Sequence, residues 1–257
     1  MQNLISTAAR GRLADVASAR ATLHAARAVL FDLDGTLIRT DEVIDGARDI
    51  LSAFGDRAMI LSNNSSETEE ALSERLARSG LEVASRRIVL AGVETVRITA
   101  SRWPRARAMM LASDKMVALA RTLCLTVTDD SPDVVLVART TAFDYEMLTR
   151  AANAVRSGAA FIVANPDLRH PGAAGRLVPE TGALAAAIAA ASGHEPTYVF
   201  GKPQPELFHA ALARLGLAPD QVVMVGDNPT TDGAGASRLG IPHILLSEEL
   251  PLRALVA

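Results

Sequence analysis

Lysine is nearly missing from this chain. Of its 26 basic residues only Lys115 and Lys202 are lysine, and the other 24 are arginine. Cysteine occurs once, as Cys124, which excludes an internal disulfide and fits a reducing cytoplasm. That cysteine lies in "LARTLCLTV", between a helix pattern and a strand pattern, and reads as core packing. Aromatic residues make up only 4%, too few for base-stacking platforms, and the net charge of −3 leaves no basic footprint. Nucleic acid is therefore not an expected partner. Long apolar runs are absent too: the longest, Ala183–Ala191, is about half a membrane span, so no membrane partner is expected. The five histidines are scattered, and none pairs with cysteine at zinc spacing.

What is present is a chain of 257 residues, long enough for one large domain or two modest ones. The first 27 residues carry four arginines and one acid, Asp15, with Leu13, Val16, Arg20 and Leu23 at helical spacing. They predict an amphipathic helix packed on the domain or on a partner subunit, with a transit peptide as the alternative. From residue 28 short apolar runs alternate with helix patterns. Strands are expected at 28–34, 57–62, 86–91, 107–111, 133–138, 160–165, 197–201, 221–227 and 242–246. Helices are expected in "GARDILSAF", "ETEEALSERLARSG", "YEMLTRAANAVRSG", "GALAAAIAAASG" and "LFHAALARLG". Strands apolar on both faces and alternating with helices predict an α/β fold with a mostly parallel, doubly covered sheet.

Three strands end in polar residues that a core does not want: "VLFDLDG", "MILSNNSS" and "VMVGD". In open α/β sheets ligands bind beyond the carboxyl ends of strands, so these ends can converge on one crevice. Asp32 and Asp34 lie two apart, and in extended chain their side chains point the same way. Carboxylates forced together are costly unless a cation or a proton separates them. Asp227 and Asp232, the latter where a helix should start, raise the density further. Oxygen ligands alone suit a hard ion such as Mg2+, which also favours a phosphate as ligand. A carboxylate can attack phosphorus to form an aspartyl-phosphate. Ser62 and the backbone amides opening the "ETEEALSERL" helix offer donors to phosphoryl oxygens. Lys202, held between Gly201 and Pro203 in a chain that otherwise writes arginine, supplies a compact point charge where a planar guanidinium would not fit.

Taken together, "FDLDGTL", "LSNNSS", "GKPQPELF" and "GDNPTTDGAGA" resemble motifs I to IV of the haloacid dehalogenase superfamily of phosphatases, in order. The insert, with "FIVANPDLRHPG" followed by "ETGALAAAI", resembles subfamily IIA, the NagD, p-nitrophenylphosphatase and pyridoxal-phosphate phosphatase type. The resemblance covers roughly residues 28–246. It implies a Rossmann-like core at 28–103 and 196–257, an inserted α/β cap at 104–195 with hinges at Pro104 and Pro196, and an N-terminal helical extension at 1–27. It also implies Mg2+-dependent hydrolysis of a small phosphorylated metabolite. In that reading Asp32 is the nucleophile and Asp34 the general acid/base, which also gives a backbone carbonyl to the metal. Ser62 and Lys202 hold the phosphoryl group, and Asp227 and Asp232 complete the metal site. Asn63 and Asn64 face substrate, and the cap loop contributes Asp167, Arg169 and His170, although an ordinary polar turn explains that loop as well. Where the family's cap has Gly-Leu-Asp, this chain has Ala138–Arg139–Thr140, which alters the usual substrate contacts. The resemblance also implies a homodimer through the cap. A phosphotransferase of the same superfamily and a non-catalytic binding protein are the alternatives.

Overall fold

The computed structural model describes residues 16–40, 42–172 and 175–256. The chain divides into two compact units. One takes in the chain through Ser62, then Ser73–Val89 and Phe208 onward; the other takes in Asn63–Leu72 and Leu90–Leu207.

The first unit is built on a five-stranded sheet in the order His243–Leu245, Val222–Gly226, Ala28–Phe31, Ala58–Ser62, Ile88–Leu90. The central strand, "AVLF", is buried at every position. Such a strand has no face for water, so it needs parallel neighbours and helices on both sides. It pairs in parallel with Val222–Gly226 and with Ala58–Ser62, and Phe31 lies opposite both Val225 and Ile60. That register places the chain segments after Phe31, Ser62 and Gly226 at one edge of the sheet. The helix Ala47–Phe54 buries Ala47, Ile50, Leu51 and Phe54, the spacing of one apolar stripe. The helix Val16–Ala25 buries Ala19 and Leu23, and Arg20 Nε donates to Ala254 O at 2.7 Å. It therefore packs on this unit; Leu13 and the rest of 1–15 lie outside the described residues.

The second unit carries its own parallel five-stranded sheet, ordered Tyr198–Val199, Ala160–Val163, Val134–Val137, Arg107–Leu111, Thr126–Val127. Its core joins Val135, Val137, Phe161 and Val163 to Ala151 and Val155 of the helix Tyr145–Arg156 and to Ile188 of the helix Thr181–Ser192. All nine expected strands are present, five in the first sheet and four in the second. The short strand Thr126–Val127 and the antiparallel hairpin Arg169–Pro171/Leu177–Pro179 are additions, each too brief to leave a periodic pattern. Cys124 is a correction. It does follow a helix, Asp114–Thr122, but it is exposed with φ of 64°, and the neighbouring Leu125, 4% exposed, takes the core position. At the turn out of the helix the chain reverses, and only one of two adjacent side chains can face inward.

Candidate active site

Asp32 is the first residue past the central strand, and its N–H donates to Val225 O at 2.8 Å. Asp227 is the first residue past the adjacent strand. A single wide π-helical turn, Pro229–Gly233, follows; the Asn228 side chain caps it by accepting from Thr230 N–H at 2.9 Å. Such turns recur at functional sites, because the extra residue redirects a side chain. Here Asp232 is fully buried and its Oδ2 accepts from Asn228 N–H at 3.2 Å. Ligand oxygens of Asp32, Asp227 and Asp232 lie within 4.8 Å of one another. The regular helix expected at Asp232 begins only at Ala234.

Asp34 stands outside that trio. The strand ends at Phe31, and the chain then turns: Leu37 and Ile38 N–H both donate to Leu33 O, at 2.9 and 3.0 Å. Asp34 is exposed whereas Asp32 is 8% exposed, so the two carboxylates do not share one face of an extended strand. Gly35 makes the turn possible with φ of 85°, and a Cβ there would sit 2.2 Å from Asp227 Oδ2. Only glycine allows both the left-handed backbone and the close approach of that carboxylate.

Three carboxylates this close repel one another unless a cation holds them. The donor set is oxygen only, with no histidine or thiolate in the group, which suits a hard divalent ion such as Mg2+. Ser62 ends the strand on the other side of the central one and is 1% exposed.

The second unit holds the remaining motif residues. Lys202 is 2% exposed, and its backbone is gripped by one side chain. Asn63 Oδ1 accepts from Lys202 N–H at 2.7 Å, and Asn63 Nδ2 donates to Lys202 O and to Asp167 Oδ2, each at 3.0 Å. Asn165, 1% exposed, donates from Nδ2 to Asn63 O at 2.7 Å and accepts from Asp167 N–H at 3.0 Å. Sequence reasoning passed over Asn165; its signal was the asparagine of "NPD", buried at a strand end like the acids of the motifs.

Asn64 has a different task. Its Oδ1 accepts from Ser66 N–H at 3.0 Å and Glu67 N–H at 3.1 Å, forming a turn, and its Nδ2 donates to Glu67 Oε2 at 3.0 Å. The helix begins later than expected, at Glu69, with Ala71 N–H donating to Thr68 Oγ1. The Ser66, Glu67 and Ala71 amides are thus satisfied by side chains. Behind the loop, Arg97 bridges Glu69 at 2.8 Å and Glu94 at 2.7 Å, both buried. Partial burial pulls the Arg97 guanidinium down, but Glu69 and Glu94 outweigh it and raise its pKa above the ordinary arginine value.

In the cap loop, His170 and Arg169 are neighbours in the hairpin and so face opposite sides. His170 Nδ1 lies 2.7 Å from Glu180 Oε1, without the alignment of a hydrogen bond. Arg139 Nε approaches the same oxygen at 3.4 Å. Arg169 is exposed on the other side. The structure thus joins Asn63 with Asp167, and His170 with Glu180 and Arg139, while Arg169 stands apart.

Residues 26–240 match the profile of a hydrolase family, the haloacid dehalogenase-like hydrolases. The chain belongs to that family. Among its relatives is a dihydroxyacetone phosphatase of Corynebacterium glutamicum, 34% identical over 220 residues, 84% of this chain and 79% of that one. Another is the ribonucleotide monophosphatase NagD of Escherichia coli, 31% identical over 221 residues, 85% of this chain and 86% of that one. A solved glycerol phosphate phosphatase of Mycobacterium tuberculosis, in complex with magnesium, superposes with a TM-score of 0.82 at 26% identity, over 91% of this chain and 78% of that one. The resemblance to the superfamily read from the four motifs, and to the NagD type read from the insert, therefore holds, and this haloacid dehalogenase-like hydrolase has the α/β architecture expected of it. Among the described residues no helix is long and apolar enough to cross a membrane.

Proposed function

We propose that this hydrolase is a Mg2+-dependent phosphatase of a small phosphorylated metabolite and that it works through an aspartyl-phosphate on Asp32. The observation that carries this reading is the trio Asp32, Asp227 and Asp232 at the carboxyl edge of the parallel sheet. When bound, Mg2+ supplies charge that offsets the carboxylates and the phosphate. Asp227 and Asp232 would hold it with Asp32, and Asp34 would add its backbone carbonyl.

Asp32 Oδ attacks phosphorus, and the bond from phosphorus to the ester oxygen breaks. Asp34, exposed beside the turn, gives its proton to the leaving alkoxide. It then takes a proton from water, whose oxygen attacks phosphorus; the bond to Asp32 breaks and inorganic phosphate leaves. Ser62 and Lys202 hold the phosphoryl oxygens, and the compact ammonium offsets charge gathered in the transition state. The named substrates of the relatives, dihydroxyacetone phosphate, ribonucleotide monophosphates and glycerol phosphate, share a small polar alcohol as leaving group. We take a phosphate monoester of that size as the substrate class here. The domain limits 28–103 with 196–257 for the core and 104–195 for the cap, and a cap-mediated dimer, remain part of the same proposal.

The test is p-nitrophenyl phosphate hydrolysis with Mg2+, with EDTA, and in Asp32→Asn. Activity should vanish in EDTA and in the variant, because an amide cannot displace at phosphorus. Full activity in metal-free buffer, or a tenth of the rate in Asp32→Asn, would refute the mechanism.

A further inference from the structure

We infer that Asn63 is a positioning residue for Lys202 and that Asp167 locks Asn63 in that task, so the Asn63 side chain does not meet substrate. The inference deepens the phosphatase reading and rests on it for the role of Lys202. A primary amide has two N–H donors and an oxygen acceptor. In Asn63 both donors are used, one on Lys202 O and one on Asp167 Oδ2, and Oδ1 takes the Lys202 N–H. No donor is left for a phosphate or a leaving group. The amide instead closes a two-bond clamp on the N–H and C=O of a single residue, as a neighbouring strand would.

Lysine is the side chain that most needs such a clamp. Its charge rides on a flexible four-carbon stem, so its placement depends on how firmly the stem's root is held. The surroundings are shaped for the clamp. A Cβ at Gly201 would lie 2.6 Å from Asn63 Oδ1, 2.6 Å from Asn165 Cβ and 2.9 Å from Ala164 O, so only glycine lets the amide reach the next residue. Asn165 fixes the Asn63 backbone through its carbonyl and orients Asp167 through its N–H. Lys202 is thereby tied, through Asn63, to the first residues of the loop that carries Arg169 and His170.

The experiment exchanges amide and carboxylate. Asn63→Asp puts two carboxylates face to face and leaves Lys202 O without its donor. Asp167→Asn in that background returns a donor between positions 63 and 167. The single Asn63→Asp variant should lose kcat on p-nitrophenyl phosphate by on the order of 10- to 100-fold, as for other residues that orient a functional group, with KM little changed. The double variant should regain roughly tenfold of that loss. A rise in KM with kcat intact, or a double variant no better than the single one, would overturn the inference, since a substrate contact cannot be rescued from position 167. Amide exchange at Lys202 is measured in the same proteins. If the wild type hydrolyses no phosphate monoester, the phosphatase reading falls, and exchange decides the clamp. Faster exchange in Asn63→Asp that slows again in the double variant keeps it, and equal exchange in all three overturns it.

Discussion

Replacing Asp232 by asparagine should make the protein more stable without Mg2+ and less stable with it. The magnitude follows from the trio. Asp32 and Asp232 are both buried, with ligand oxygens no more than 4.8 Å apart. At an effective dielectric of about 20, two unit charges at that separation repel by about 3.5 kcal/mol. Asp227 is exposed, so water screens its part. Asparagine removes the Asp232 charge at nearly constant volume but weakens the acceptor for Asn228 N–H, worth about 1 kcal/mol. Reorganisation of the free site absorbs more, leaving a net gain of roughly 1–2 kcal/mol for the metal-free variant. For a chain of this size that is a rise in Tm of about 2–8 °C. In the wild type, Mg2+ at 100 times its Kd should add about 2.7 kcal/mol. The variant, lacking a charged ligand, should gain little. Calorimetric melts of both proteins in EDTA and across a Mg2+ series would show the two Tm curves crossing. Equal destabilisation of the variant in both conditions would mean that Asp232 is only a buried structural acid. Equal Mg2+ shifts in both proteins would place the ion elsewhere.

Lys202→Arg should cost nearly as much activity as Lys202→Ala, because a 2% exposed site has no room for a wider planar group; wild-type turnover in Lys202→Arg would show that charge alone suffices. His170→Ala should reorder preference across a panel of phosphate monoesters with little effect on p-nitrophenyl phosphate, while Arg169→Ala, on the opposite side of the hairpin, should keep the wild-type order. The reverse outcome would move recognition to the exposed side. Arg97→Met leaves Glu69 and Glu94 buried without their shared partner and should cost about 1–3 kcal/mol at pH 8, discounted because Arg97 is itself 42% exposed. Urea melts that give the variant wild-type stability would refute the argument.

The alternation of apolar runs with helix patterns, and acids at the ends of strands that should be wholly apolar, are local signals. They were legible because burial on both faces leaves a continuous hydrophobic run, and a charged residue ending such a run has no packing reason to be there. Asp32, Ser62, Asp227 and Lys202, one of only two lysines, followed from those signals, and the family followed from the order of the motifs. What the local pattern does not encode is which distant segments meet. Nine similar strands could form one sheet or two, and only the pairing of Ala28–Phe31 with Val222–Gly226, across almost the whole chain, decided the first. Asp34 at a strand end and Asp232 at an expected helix start both read as acids of the metal site. A turn at Leu33 to Ile38 kept one out of the carboxylate group, and a π-helical turn folded the other in. The Asn63 amide is spent on Lys202, 139 positions away, and on Asp167, 104 away, which no local pattern announces. An amide's role depends on which partners saturate its few hydrogen bonds, and partners that far apart in the chain meet only when the tertiary fold has closed the loops between them.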